Sequence, residues 1–221
     1  MYIQNLNNDS KMKLSRKQRE LIKQREEILS VAERIFSEKG FYTTKMQDIA
    51  RTAEYGVGTI YKHFKSKEII FFTIIRNKFR EFINDAKKSV ERETLPEAKL
   101  RSLIVSHLGF FEQNKEIFRL LTAEHVSFEK GLRSKFMKEM KKNFADYFNL
   151  FKSIYTEGVQ SGVFKVETGD NVFHLCLALI GMLNFTSFYK LNNMPSDSLR
   201  DNAPLIFNLF LNGVKRWDRA D

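Results

Sequence analysis

The sequence predicts an all-α chain of about nine helices, and three observations carry that prediction. Apolar residues recur at spacings of three, four and seven along most of the chain, the period of a helix with one buried face. Nowhere does a convincing alternating stretch mark a strand, and no internal repeat is present. Glycines, prolines and polar runs fall between the periodic segments, where a helical chain needs its stops.

The elements follow in order. Residues 1–14 are polar and read as a flexible arm. From Ser15 to Lys39, Leu21, Ile28, Leu29, Ala32, Ile35 and Phe36 define a helical face, and Gly40 closes the helix as a C′ glycine. "TTKMQDIART" opens a short helix that ends near Thr52, with Thr44 as cap and Gln47 completing a capping box. A third short helix spans about Val57 to Phe64. Ser66 caps a long helix, reaching about Arg92, whose apolar residues include Phe71, Phe72, Ile75, Phe79, Phe82 and Ile83. Pro96 starts a helix that runs to about Asn114, since proline is tolerated in a first turn. Further helices are expected near 115–126 and 132–161. After a break at Gly162 and Gly169, two last helices are expected near 170–191 and 202–217.

Charge is unevenly distributed. The 221 residues carry a net +10, of which residues 1–90 hold +8, from 19 basic and 11 acidic residues. A localised basic excess suits nucleic acid, and also an anionic surface or simple solubility. Lys11 to Arg25 has seven basic residues and one acid, either an arm toward phosphates or a solvated face. The single cysteine, Cys176, precludes an internal disulfide and reads as a small core residue of a protein in a reducing cytoplasm. The N-terminus has no apolar signal core. The longest apolar stretch, "VFHLCLALIGMLNF", is too short to span a bilayer, so no membrane partner is expected.

Two short helices joined by a tight turn, "KMQDIART" and "VGTIYKHF" around "AEYG", form a candidate helix-turn-helix. Gly40-Phe41, Thr43-Thr44, Asp48-Ile49-Ala50, Gly58-Thr59-Ile60-Tyr61, His63-Phe64 and Ser66-Lys67-Glu68 all stand in register over about fifty residues. This run resembles the DNA-binding domain of the TetR family of transcriptional regulators. The resemblance implies a DNA-binding domain at 15–66, a ligand-binding and dimerisation domain at 67–221, and a homodimer on a palindromic site of double-stranded DNA. It also implies that Thr44, Gln47, Thr59, Tyr61, His63 and Lys67 lie at the DNA surface, and Lys45, Val57, Gly58, Lys62 and Lys65 of the same motif are expected beside them. Physically, Gly58 allows close backbone approach, Tyr61 and His63 can donate to phosphate, and Lys67 starts a helix whose free N–H groups favour an anion. The turn departs from the family's Ala-Gly-Val-Ser. It places Glu54 where a left-handed backbone is expected, at a cost of about 1 kcal/mol.

Phenylalanines crowd the second half, and most should be core. The family commonly keeps a ligand cavity there, and an aromatic lining suits a hydrophobic small-molecule effector such as a fatty acid, an acyl-CoA or an aromatic compound. The candidate lining is Leu103, His107, Phe110, Phe111, Leu121, His125, Phe144, Phe148, Phe151, Leu177 and Ile180. No His/Cys/Asp/Glu cluster has metal spacing, and no catalytic constellation or cofactor motif is evident. The last two helices are apolar all round, so one side needs a partner. A two-fold four-helix bundle answers that need, with Leu175, Leu179, Met182, Leu183, Leu205, Leu209, Gly213 and Trp217 as expected interface residues. The first reading is therefore a ligand-released repressor and not an enzyme. The long helix from Ser66 is its candidate lever. The alternative is a small-molecule-binding protein or enzyme whose basic head serves anionic substrates.

Overall fold

A computed structural model describes residues 15–116, 118, 130–166, 170–194 and 197–214. Among them are eight α-helices: α1 (Arg16–Lys39), α2 (Met46–Thr52), α3 (Val57–His63), α4 (Lys67–Glu91), α5 (Pro96–Gln113), α6 (Lys130–Gln160), α7 (Asp170–Asn193) and α8 (Ala203–Val214). A 3₁₀ turn, Arg200–Asn202, precedes α8. The all-α expectation is met, and most helix ends fall within a few residues of their expected positions. The segment expected near 115–126 lies outside the described residues apart from 115, 116 and 118.

Local chemistry explains the starts and stops. Ser15 and Gln18 exchange a reciprocal pair of bonds at the head of α1, Gln18 N–H to Ser15 Oγ at 3.2 Å and Ser15 N–H to Gln18 Oε1 at 2.9 Å. Gly40 stops α1 at φ 84°, and its N–H reaches back to the Phe36 carbonyl. The cap of α2 is one residue later than expected. Lys45 is the cap residue, and its N–H donates to Asp48 Oδ2 at 3.0 Å. Asp48, three residues after Lys45, takes the place in the cap that the sequence had assigned to Gln47, and its carboxylate in the first turn also complements the helix dipole.

The chain divides into two compact units between Ile74 and Ile75, inside α4. In the first, α1 packs on α2 and α2 on α3 around Ile28, Ala32, Ile35, Ile49, Ala50 and Ile60. Phe36, Phe41 and Phe71 interlock there with ring centroids 5.1 to 5.7 Å apart.

In the second unit α5 is the central element, packed against α6, α7 and α8. Lys99 of α5 and Glu157 of α6 are paired at 2.6 Å. Glu112 of α5 accepts from the Ser198 hydroxyl and the Leu199 N–H, tying down the turn before α8. Gly158 lies beneath Phe164, where a Cβ would stand 2.1 Å from the ring. Cys176 is fully buried, and burial pushes its thiol up to about 12.

Helix α7 corrects the expectation about length. At 24 residues it is long and apolar enough, by length and composition, to cross a membrane. Its apolar run continues past the stretch singled out in the sequence, which ends at Phe185, through Phe188 and Tyr189. One stripe, Cys176, Leu179, Leu183, Ser187 and Leu191, is buried in the unit's own core. The opposite stripe, including Leu177, Phe185 and Tyr189, is exposed, and so are Leu205 and Leu209 of α8.

Candidate functional site

Helices α2 and α3 are joined through Ala53–Gly56, and the turn is tight because Tyr55 N–H returns 3.0 Å to the Ala50 carbonyl. Glu54 adopts φ 57°, the left-handed backbone expected at this position. Tyr55 fastens the turn to α1 by donating its hydroxyl to Glu27, a bond that raises the phenol to about 12.

Ile60 is fully buried, which turns the opposite side of α3 outward. Gly58, Tyr61 and Lys62 are exposed there, with Val57 and Thr59 half-buried beside them. A Cβ built on Gly58 meets nothing within 4 Å, so no packing inside the chain requires glycine at this position. Lys45, Gln47 and Lys65 are exposed as well.

Three expected surface residues face inward instead. Thr44 is buried, and its hydroxyl donates to the Gly40 carbonyl at 2.7 Å. Lys67 donates to three backbone carbonyls, Phe41 at 2.8 Å, Tyr42 at 3.0 Å and Thr44 at 2.9 Å, and lies 4.7 Å from the Phe41 ring centroid. All three ammonium donors are therefore engaged within the chain. His63 is half-buried against α1, with Nε2 3.2 Å from Gln24 Oε1 and its carbonyl accepting from Arg25. Burial, then the charges of Arg25 and Lys62, lower its pKa, so the ring is a poor cation for phosphate.

The second unit holds a cavity of about 420 Å³, walled mainly by aromatic rings from α4, α5, α6 and α7. Four of the expected residues line it, His107, Phe111, Phe144 and Ile180, and a fifth, Phe148, stacks parallel to Phe144 with ring centroids 6.5 Å apart. The others separate. Leu103 and Phe151 are buried core, Phe110 stacks on Phe82 at 4.6 Å and faces a different groove, and Leu177 is exposed on α7. Leu121 and His125 lie outside the described residues.

The sequence reading missed Phe79, Phe82 and Ile83, which share one face of α4, and it missed Asn143, Tyr147 and Asn184. The i, i+4 pair Asn143 and Tyr147 was the available signal, a polar residue on the apolar face of a helix.

His107 organises the polar end of the cavity. Its Nε2 is 3.1 Å from Asn184 Oδ1 and its Nδ1 is 3.3 Å from the Tyr147 hydroxyl. With Asn184 as acceptor, the proton resides on Nε2, and the Tyr147 O–H donates to Nδ1. The ring stacks on Phe111 at 5.3 Å. Burial holds His107 neutral, its pKa lowered to about 4. Among the described residues, no group of three or more His, Cys, Asp and Glu side chains is placed to hold a metal ion.

The expected interface residues divide by face. Leu205, Leu209 and Gly213 are exposed, Leu175 and Met182 are half-buried against the core, and Leu179 and Leu183 are wholly inside it. Trp217 lies outside the described residues. Because α7 is apolar all round, periodicity alone did not tell its core stripe from its outer stripe.

Residues 28–74 match the family model for bacterial regulatory proteins of the tetR family, and residues 93–188 match the tetracyclin repressor-like C-terminal domain. The chain belongs to the tetR family. It is thus a transcriptional regulator with a helix-turn-helix head and a helical C-terminal domain. Among tetR-family relatives, the fatty acid metabolism regulator protein of Bacillus subtilis is 29% identical over 141 residues, 63% of this chain and 70% of that one. The HTH-type transcriptional repressor NicS of Pseudomonas putida is 22% identical over 201 residues, 87% of this chain and 92% of that one. The crystal structure of the transcriptional regulator FadR from Bacillus subtilis, in complex with stearoyl-CoA, shares the fold. Its TM-score is 0.70 at 24% identity, covering 85% of this chain and 97% of that chain.

Proposed function

We propose that this tetR-family protein is a cytoplasmic, homodimeric repressor that binds a palindromic operator and is released by a hydrophobic acyl compound. The observation that carries the DNA half is the outer face of α3, where an exposed Tyr61 and Lys62 flank a glycine that no internal packing requires. In this reading Gly58 lets the α3 backbone approach the major groove, and Tyr61, Lys62 and Thr59 reach phosphates or base edges. Lys45, Gln47, Val57 and Lys65 extend the contact. Thr44, His63 and Lys67 act from within, holding the helices in position.

The ligand half is supported by the aromatic cavity and by two similar proteins, one named for fatty acid metabolism and one solved with stearoyl-CoA. Two helices from each subunit would form the dimer, with Leu205, Leu209, Phe185 and Tyr189 covered by their counterparts. That use accounts for the outer stripe of α7, whose other side is already core. Ligand and DNA would compete by favouring different states of the dimer, and α4, which contributes residues to both units, is the candidate coupling element.

The test is a footprint on DNA upstream of the protein's own gene at two salt concentrations. A protected, roughly palindromic site that weakens with salt is expected. An unprotected upstream region and no operator selected from random DNA at low salt would overturn the reading.

A further inference from the structure

The polar groups that face the aromatic cavity are unequal in what they have left to give. Both ring nitrogens of His107 are engaged, one with Asn184 and one with Tyr147. The Tyr147 hydroxyl proton is used in that contact. Asn143 differs. Its side chain lines the same cavity, is only 8% exposed, and its Nδ2 meets no acceptor among the described residues. An amide donor left unpaired in a buried site carries a desolvation cost of roughly 1–3 kcal/mol, and a partner delivered by a ligand would remove that cost.

The surroundings of Asn143 narrow the partner. Among the described residues, the lining contains no Lys, Arg, Asp or Glu. Its other members are aromatic or aliphatic except for His107, Tyr147 and Asn184. A carboxylate brought here would lose its water and gain one neutral donor, an exchange that disfavours the charged form. An uncharged carbonyl needs one donor and tolerates apolar walls on every other side. We infer that Asn143 is the specificity residue of the cavity, donating through Nδ2 to the carbonyl oxygen of an uncharged acyl derivative (an ester, thioester or amide) whose hydrocarbon chain fills the aromatic space. The inference rests on the cavity being the effector site proposed above. It adds which chemical form of an acyl chain the protein senses.

The experiment uses the full-length protein and four compounds with one twelve-carbon chain: dodecanoate, methyl dodecanoate, dodecanamide and dodecanoyl-CoA. Binding is measured by calorimetry on the unaltered protein and on Asn143→Leu and Asn143→Ala, with urea unfolding of each ligand-free protein. The uncharged carbonyl compounds are expected to bind about tenfold or more tighter than dodecanoate, and both variants to weaken the carbonyl compounds about tenfold while dodecanoate stays disfavoured by the apolar lining. Asn143→Leu should be at least as stable as the unaltered protein, since it removes an unpaired polar group, and Asn143→Ala supplies the readout if leucine overfills the site. Tighter binding of dodecanoyl-CoA than of the amide would assign the thioester with its nucleotide; equal binding would assign the chain and carbonyl alone, and either supports the inference. Dodecanoate binding as tightly as the amide, or carbonyl compounds binding both variants as tightly as the unaltered protein, would overturn the role of Asn143 while leaving the cavity as the effector site. Binding of none of the four would overturn the acyl-effector reading and this inference together.

Discussion

Lys67 Nζ stands 2.8 Å from the Phe41 carbonyl oxygen and holds the Tyr42 and Thr44 carbonyls as well, so the first residue of α4 clamps the loop that launches α2. A lysine at a helix start beside a DNA-binding motif invites assignment to phosphate. Its three donors are instead committed to backbone. Hydrogen bonds from charged groups contribute about 1.5–3 kcal/mol each, and losing this set leaves partly buried carbonyls unpaired. Lys67→Met is expected to lower stability by about 2–3 kcal/mol. A shift in the urea midpoint with unchanged m-value checks this, whereas an unchanged midpoint with weaker DNA binding would return Lys67 to the DNA surface.

Gly58 gives the opposite kind of test. Nothing lies within 4 Å of a Cβ placed there, and alanine is favoured over glycine inside a helix by up to about 1 kcal/mol. Gly58→Ala should therefore raise the melting temperature while weakening operator binding. A variant that gains stability and binds DNA as before would remove the need for close backbone approach.

His107 links the cavity to pH. Burial lowers its pKa to about 4 in the folded chain, while an exposed histidine titrates near 6.5. Below pH 6.5 the unfolded chain takes up a proton that the folded chain refuses. The contribution of this group is therefore complete above 6.5 and is lost as pH falls toward 4. The loss is expected to reach about 2 kcal/mol at pH 5. Urea unfolding at pH 7.5 and pH 5, compared between the unaltered protein and His107→Gln, isolates the term. Equal pH slopes in the two proteins would refute it.

Leu205 and Leu209 project from α8 with 61% and 59% of their surface exposed. If a second copy covers them, Leu205→Glu with Leu209→Glu should convert the dimer to monomer in sedimentation experiments and abolish operator binding. The helical circular dichroism signal should persist, because neither side chain belongs to the chain's own core. An unaltered sedimentation coefficient would place the partner surface elsewhere.

Helix positions were legible in the sequence because caps and glycines act locally. Ser15, Gly40 and Pro96 do in the structure what their chemistry dictates in any helix. What stayed hidden depends on three-dimensional neighbours. Leu179 and Leu177 look alike as letters, yet one is core and the other faces out, because packing against α5, α6 and α8 decides the rotation of α7. Thr44 and Lys67 look like surface donors until the fold brings the carbonyls of Gly40, Phe41 and Tyr42 within their reach. The cavity's aromatic character could be read from composition. The buried Asn143 Nδ2, without an acceptor among the described residues, could not, since only the structure shows which polar groups already have partners.

Cys176 has a practical consequence. The chain's sole thiol is sealed in the core of the C-terminal unit, its reactive anion suppressed by burial. A maleimide or disulfide reagent can reach it only when that unit opens. The unmodified protein thus carries its own clock for breathing motions. Its labelling rate, followed by mass spectrometry with no engineered reporter, would register any small molecule that holds the helices shut.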